Sequence, residues 1–280
     1  MKSKQKILIG DVRDTISKIE DNSIQVMNTS PPYFNLRNYK GNTKQLGLEA
    51  TANEFITNLA DIFDLLKPKM KSTGTMWINL GDTIKNGEQM LIPERFAIEM
   101  VSRGYKLINQ VVWYKPSAMP CSAKRRMGVD YEKLYLFALS DDYYFNMMKH
   151  PYKTATIKTI KTMPPIGGKK HTDASSSPNY TGNTPEYKEG ANTRCVWSIC
   201  PSRNKDKHFA TQAPEISRRA ILMGSKEGDL VCDVFHGLGT TMASALSNSR
   251  NYIGCELNKE YVEAGLKKWK LQAEIEGENR

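Results

Sequence analysis

The sequence predicts an α/β protein built on a mostly parallel sheet with helices on both faces. Three observations lead there. Strand-like and helix-like segments alternate over residues 6–139, the pattern of a wound parallel sheet. An early apolar run stops abruptly at Pro31-Pro32. Late in the chain, a strand runs into a glycine turn, a helix and a second strand ending in a carboxylate, over residues 229–257.

The elements follow in order. Lys6–Gly10 reads as a short strand ending at Asp11, and Val12–Ile19 has helical spacing. Asp21-Asn22-Ser23 turns the chain into a buried strand, Ser23–Thr29. That strand must leave the sheet at Pro31, because proline lacks the ladder N–H and has a fixed φ. In Asn53–Leu66, Phe55, Ile56, Leu59, Ile62, Phe63 and Leu66 recur at three and four, which predicts an amphipathic helix. Asn53 is its expected N-cap, and Pro68 stops it. Gly74–Leu80 is a strand followed by a turn at Gly81-Asp82. Pro93–Gly104 is a helix with proline near its start and glycine just past its end. Leu107–Tyr114 and Lys133–Leu139 are strands.

Residues 141–207 break the alternation. Little there could build a core, and a loop-rich stretch of this length inside a compact domain points to function or disorder. Regular structure resumes with a helix over Glu215–Met223, the Asp229–Asp233 strand, a helix over Met242–Asn248 and a strand at Tyr252–Leu257. The last expected helix, Lys259–Glu274, is amphipathic through Val262, Leu266, Trp269 and Leu271.

The 280 residues are 39% hydrophobic and 25% charged, a globular composition. No apolar run approaches the roughly 20 residues of a membrane span. Met1–Lys6 is polar and the next apolar stretch is too short for a signal core, so a cytoplasmic protein is expected. The five cysteines contain no Cys-x-x-Cys pair, and none of the four histidines sits in a ligand-like pattern, so no metal site is expected. Cys232 and Cys255 fall in core strands, where a free thiol acts as a small hydrophobe. The net charge is +10, and residues 145–210 hold nine Lys and two Arg against four acids. That balance suits a polyanionic partner or a solvated basic surface.

Two motifs carry chemistry. Gly237-x-Gly239 lacks the third glycine of a dinucleotide fingerprint, and there is no P-loop. Taken as a unit, Asp233, Phe235, Gly237, Gly239, Thr240 and the carboxylate of Glu256 fit a cofactor bearing a carboxylate and a ribose but no phosphate. The helix N-terminus favours the carboxylate, and Glu256 suits the ribose hydroxyls. S-adenosylmethionine matches that description. At the other site, the Ser30 hydroxyl and the Pro31 carbonyl can accept the two hydrogens of an exocyclic amine, with Pro32 stiffening the turn and Tyr33 offering a ring to stack on.

Thr29-Ser30-Pro31-Pro32-Tyr33, with Phe235-His236-Gly237-Leu238-Gly239-Thr240-Thr241 far downstream, resembles the amino-methylating DNA methyltransferases in their permuted β order, catalytic motif first and cofactor motif last. Trp113-Tyr114-Lys115-Pro116 and Asp130-Tyr131-Glu132 are similar to further landmarks of that family, and residues 208–214 to its segment that closes over the cofactor. The chain departs from the usual pattern at Val234, where proline is common, and at Leu238, where serine is. The resemblance implies a circularly permuted, seven-stranded, Rossmann-like fold in which the termini lie close together. Residues 1–140 would form the catalytic half, 141–207 a target-recognition insertion and 208–280 the cofactor half.

It implies S-adenosylmethionine as cofactor, with Asp11 accepting from the adenine amine; a turn-forming aspartate is the other reading of Asp11. It implies double-stranded DNA as substrate, a cognate restriction endonuclease as partner, and a monomer or homodimer. Serine at position 30 accompanies cytosine N4 in the family, and adenine N6 is the alternative. A non-catalytic nucleic-acid-binding module is the rival from another class. Lys153, Lys158, Lys161, Lys169 and Lys170 suit phosphate contacts, and Arg194 and Arg203 suit base edges. Lys124, Arg125 and Arg126 form a second basic cluster, for DNA or as an ordinary charged loop.

Overall fold

The computed structural model describes residues 3–36, 45–151, 190–202 and 212–277. It divides into two units, residues 1–146 with 195–280, and residues 147–194.

The larger unit holds a nine-stranded sheet. Its strands are β1 (Gln5–Ile9), β2 (Ile24–Thr29), β3 (Met70–Leu80), β6 (Lys106–Tyr114), β7 (Tyr131–Ala138), β10 (Val196–Ser198), β11 (Leu230–Asp233), β12 (Asn251–Glu256) and β13 (Glu274–Glu276). A two-residue hairpin of β4 (Ile84–Lys85) and β5 (Glu88–Gln89) stands outside it. The order across the sheet is β10-β6-β7-β3-β2-β11-β12-β1-β13. Only β7 runs antiparallel to its neighbours. The seven expected strands are all present, with a short strand added at each edge.

The helices are α1 (Val12–Thr15), α2 (Ala52–Leu66), α3 (Ile92–Ser102), α4 (Pro214–Gly224), α5 (Thr240–Ser247) and α6 (Lys259–Trp269). Strand side chains alternate between faces, so successive core residues serve different helices. Met27, Met76, Ile78 and Cys255 join Phe55, Leu59, Phe63 and Phe96 of α2 and α3 in one apolar cluster. Asn28 points the other way, donating to Ser217 of α4 and Thr241 of α5.

Four local expectations change. The N-cap of α2 is Thr51, which accepts from the Glu54 N–H; Asn53 lies inside the helix, and its side chain takes a bond from Arg95 instead. Trp197, within the stretch expected to lack a core, lies in β10, is almost fully buried and stacks on Trp77 at 6.3 Å. Regular structure of the larger unit therefore resumes at Cys195, because a single large ring and one parallel pairing with β6 anchor that segment. The last helix stops at Trp269, and Lys270 takes the left-handed conformation, φ 53°. Glu274–Glu276 then joins the sheet beside β1. The open edge of β1 and the ion pairs of Glu276 with Lys6 (2.5 Å) and Lys18 (2.8 Å) override the helical preference of glutamate.

The smaller unit has, among its described residues, a two-stranded ladder of β8 (Lys149–His150) and β9 (Ala191–Asn192). Thr193 closes it, its hydroxyl donating to the Met148 carbonyl at 2.9 Å. Lys153, Lys158, Lys161, Lys169, Lys170 and Arg203 lie outside the described residues.

Candidate active site at the carboxyl edge of the sheet

β2 and β11 are parallel neighbours, with Met27 opposite Cys232. From β2 the chain proceeds to β3 on one side; from β11 it proceeds to β12 on the other. Their carboxyl ends therefore flank the point where the winding reverses, the place where open α/β sheets bind ligands. Ser30 follows β2 and Gly237 follows β11, so both motifs occupy one edge.

A direct bond ties the two ends together. The Thr29 hydroxyl donates to Asp233 Oδ1 at 2.6 Å, and the same oxygen accepts from the Phe235 N–H at 3.0 Å. Burial pushes the Asp233 carboxyl up to about 6, against the stabilising bonds from Thr29, Thr241 and the Phe235 amide. Beneath this latch, Asn28 donates to Gln212 (3.3 Å), Ser217 (3.1 Å) and Thr241 (3.0 Å).

Gly237 and Gly239 adopt φ 53° and 73°, and Gly239 precedes the first turn of α5. A Cβ at Gly239 would lie 3.0 Å from the buried His236 ring. The turn is held from outside by Trp269, whose indole N–H donates to the Leu238 carbonyl at 2.7 Å. Glu256 ends β12 and accepts from the Gly237 N–H at 2.7 Å and the Asn258 N–H at 2.9 Å. A carboxylate has about four acceptor sites, and with the Leu257 amide also bearing on Glu256, capacity remains for a ligand hydroxyl. Burial raises Glu256 to about 7. Asp11 caps α1 and pairs with Arg13, whose Nη2 donates to Oδ2 at 2.5 Å. The turn-forming role of Asp11 is thus realised, and any contact with a ligand would use the same fixed carboxylate.

On the other flank, the Tyr33 hydroxyl lies 2.6 Å from Glu132, 2.9 Å from Asn79 Nδ2 and 3.4 Å from Ser30 Oγ. The ring lies against Gly81, where a Cβ would come within 2.6 Å of it. Lys115 pairs with the other oxygen of Glu132. Lys124, Arg125 and Arg126 are exposed on the loop from β6 to β7, which starts from the same edge as Ser30 because β6 runs parallel to β3. Arg194 is exposed and belongs to the smaller unit. Asn79 escaped the reading of the sequence, and Thr29, Lys115 and Glu132 entered it only within the motifs that carry the resemblance, with no role of their own. Their roles arise from partners 17 to 204 residues away, which no local pattern records.

The profile of the N6_N4_Mtase family, described as DNA methylase, matches residues 24–267. The chain belongs to the N6/N4 DNA methylase family. The Type II methyltransferase M.Cfr9I of Citrobacter freundii is 29% identical over 95% of this chain and 87% of its own length. Among solved structures, the PvuII DNA methyltransferase (cytosine-N4-specific) superposes with a TM-score of 0.67 at 20% identity, covering 94% of this chain and 86% of that one. The complex of M1.HpyAVI with SAM gives 0.60 at 17% identity, covering 95% and 99%. At these identities the two structures speak for the fold. The M1.HpyAVI structure is a complex with SAM, S-adenosylmethionine. The positive-φ glycine turn, the open helix start and the remaining acceptor capacity of Glu256 fit that molecule. No helix among the described residues is long and apolar enough to cross a membrane.

Proposed function

We propose that this DNA methylase modifies the exocyclic N4 amine of a cytosine extruded from double-stranded DNA at a specific sequence. The observation that carries the proposal is the Thr29–Asp233 bond, which fixes the Ser-Pro-Pro-Tyr turn beside the glycine turn. The cytosine-N4 specificity printed for the PvuII enzyme and the serine at position 30 support cytosine over adenine. The order of the motifs along the chain, with β1 and β13 paired, supports the permuted β arrangement. A cognate restriction endonuclease is the proposed partner, as the Type II relative suggests.

Bound S-adenosylmethionine would supply an electrophilic sulfonium methyl, its C–S bond breaking to leave a neutral thioether as the N–C bond forms, and the methylated nitrogen would release one proton to solvent. The chain's residues hold the acceptor. An aromatic amine is a weak nucleophile because its lone pair is delocalised into the ring. Ser30 Oγ and the Pro31 carbonyl each accept one N–H, which lets the nitrogen pyramidalise and point its lone pair at the methyl, with reacting atoms about 3–3.5 Å apart. Tyr33 stacks on the base and offsets part of the few kcal/mol needed to extrude it. Asp11, Gly237, Gly239, Thr240 and Glu256 hold the cofactor, with Phe235 and Asp233 shaping the turn. Lys124, Arg125, Arg126 and the basic stretch at 145–210 bind phosphates. Ser30→Ala should lower turnover about 10²–10³-fold while cofactor binding stays intact. Nucleoside analysis of methylated DNA should return N4-methylcytosine. N6-methyladenine would overturn the base assignment, and an undiminished Ser30→Ala rate would overturn the clamp.

A further inference from the structure

Among the described residues, four side chains meet around Tyr33, and their chemistry sets the direction of the hydrogen bonds between them. Lys115 Nζ is a donor only and holds Glu132 Oε1. Asn79 Nδ2 is a donor only and reaches Glu132 Oε2 at 2.6 Å and the Tyr33 oxygen at 2.9 Å. The carboxylate can only accept. The single Tyr33 proton therefore points at Glu132 Oε2, 2.6 Å away. Any other orientation would set two bare oxygens against each other. With its proton committed, the Tyr33 oxygen can only accept from Ser30, 3.4 Å away.

The consequence falls on Ser30. Its own proton is directed towards Tyr33, and its lone pairs remain for the substrate. A serine free to rotate would instead donate to the amine nitrogen and occupy the lone pair that has to attack. We infer that Glu132, held by Lys115, is a positioning residue that acts through the Tyr33 hydroxyl to make Ser30 a one-way acceptor. The inference rests on the amine-clamp reading above and adds to it a reason for the clamp's polarity. The cluster is built from four segments: Glu132 lies opposite Trp113 at the start of β7, Asn79 near the end of β3, Lys115 just after β6, and Tyr33 after β2. Glu132 and Lys115 are mostly shielded, at 15% and 20% side-chain exposure, so water competes little for the pair.

Glu132→Gln is an informative change because it keeps shape and reverses polarity. Lys115 demands the amide oxygen, so the amide nitrogen faces Tyr33. The new amide nitrogen also repels Asn79 Nδ2, 2.6 Å from that position, so Asn79 must shift; Tyr33 then accepts from the glutamine, and Glu132 no longer holds its proton away from Ser30. The test uses the full-length protein and measures single-turnover methylation, cofactor binding by calorimetry and thermal melting for Glu132→Gln, Tyr33→Phe, the double variant and Ser30→Ala.

Glu132→Gln is expected to slow methyl transfer by about 10²-fold, with cofactor affinity within about threefold of wild type. Tyr33→Phe should cost a comparable factor. The double variant should fall no more than about threefold below the slower single variant, because both changes break one chain of contacts. Glu132→Asp should recover part of the rate. A wild-type rate for Glu132→Gln would overturn the inference, and so would multiplication of the two single losses in the double variant. A purely structural role would lower the melting temperature and leave the rate per folded molecule unchanged, which also overturns it. If Ser30→Ala too retains full rate, the clamp itself fails. If Ser30→Ala is inactive and Glu132→Gln is not, only the positioning role fails.

Discussion

Thr29→Val tests the bond that joins the two halves of the site. The substitution keeps the branched shape and removes the hydroxyl that donates to Asp233 at 2.6 Å. Both side chains are buried. Because Asp233 titrates near 6, it is an ionised carboxylate at about pH 7.5, and a bond to a charged group contributes about 1.5–3 kcal/mol. In a chain of this size about 1 kcal/mol moves the melting temperature by about 2–4 °C, so the variant should melt roughly 3–12 °C lower. Near pH 5 the carboxyl is largely protonated, and the pair becomes an ordinary neutral one, contributing about 0.5–1.5 kcal/mol. The deficit should therefore shrink to roughly 1–6 °C. The folded carboxyl binds its proton more tightly than the unfolded one, about 6 against an ordinary 3.8. Stability from this group accordingly declines as pH rises between those values, and the loss of Thr29 deepens the decline. Differential scanning calorimetry of the cofactor-free protein at both pH values reads this directly. Equal deficits at the two pH values, or none at either, would refute the latch.

Three further outcomes follow from the same edge. Gly239→Ala forces a side chain onto a φ of 73° and against His236, and should cost about 1–2 kcal/mol in melting experiments while weakening S-adenosylmethionine binding in calorimetry. Glu256, raised to about 7, becomes the better acceptor as it ionises, so wild-type cofactor affinity should climb up to about tenfold between roughly pH 6 and 8, and Glu256→Gln should bind about 10–100-fold more weakly with a flat pH profile. Replacing Lys124, Arg125 and Arg126 together by alanine should reduce the slope of log affinity for DNA against log salt by up to about 2.7, measured by fluorescence anisotropy, and leave cofactor affinity unchanged.

Much of this architecture was legible in the chain itself. Pro31-Pro32 ended β2 where the structure ends it, because the missing N–H is a local property of proline. The apolar spacing of Phe55 through Leu66 located α2, although the cap proved to be Thr51, a boundary set by one hydroxyl among several candidates. Gly237 and Gly239 marked the turn before α5, because only glycine takes those φ values readily. The edge strands were not legible. β10 is three residues long and β13 is Glu-Ile-Glu; neither has a local pattern strong enough to outweigh propensity, and each exists because a neighbouring strand offers an open edge.

By itself the sequence determined the two chemical motifs, the alternation that winds the sheet, and the kind of cofactor and acceptor each motif suits. These depend on backbone limits and side-chain chemistry that a residue carries wherever it sits. Only the tertiary structure decided that Thr29 clasps Asp233 across 204 residues, and that Glu132 and Lys115 stand behind Tyr33 to orient a proton. A hydrogen bond's partner and direction depend on distances of a fraction of an ångström between segments remote in the chain, and those distances are set by the packing of the whole sheet.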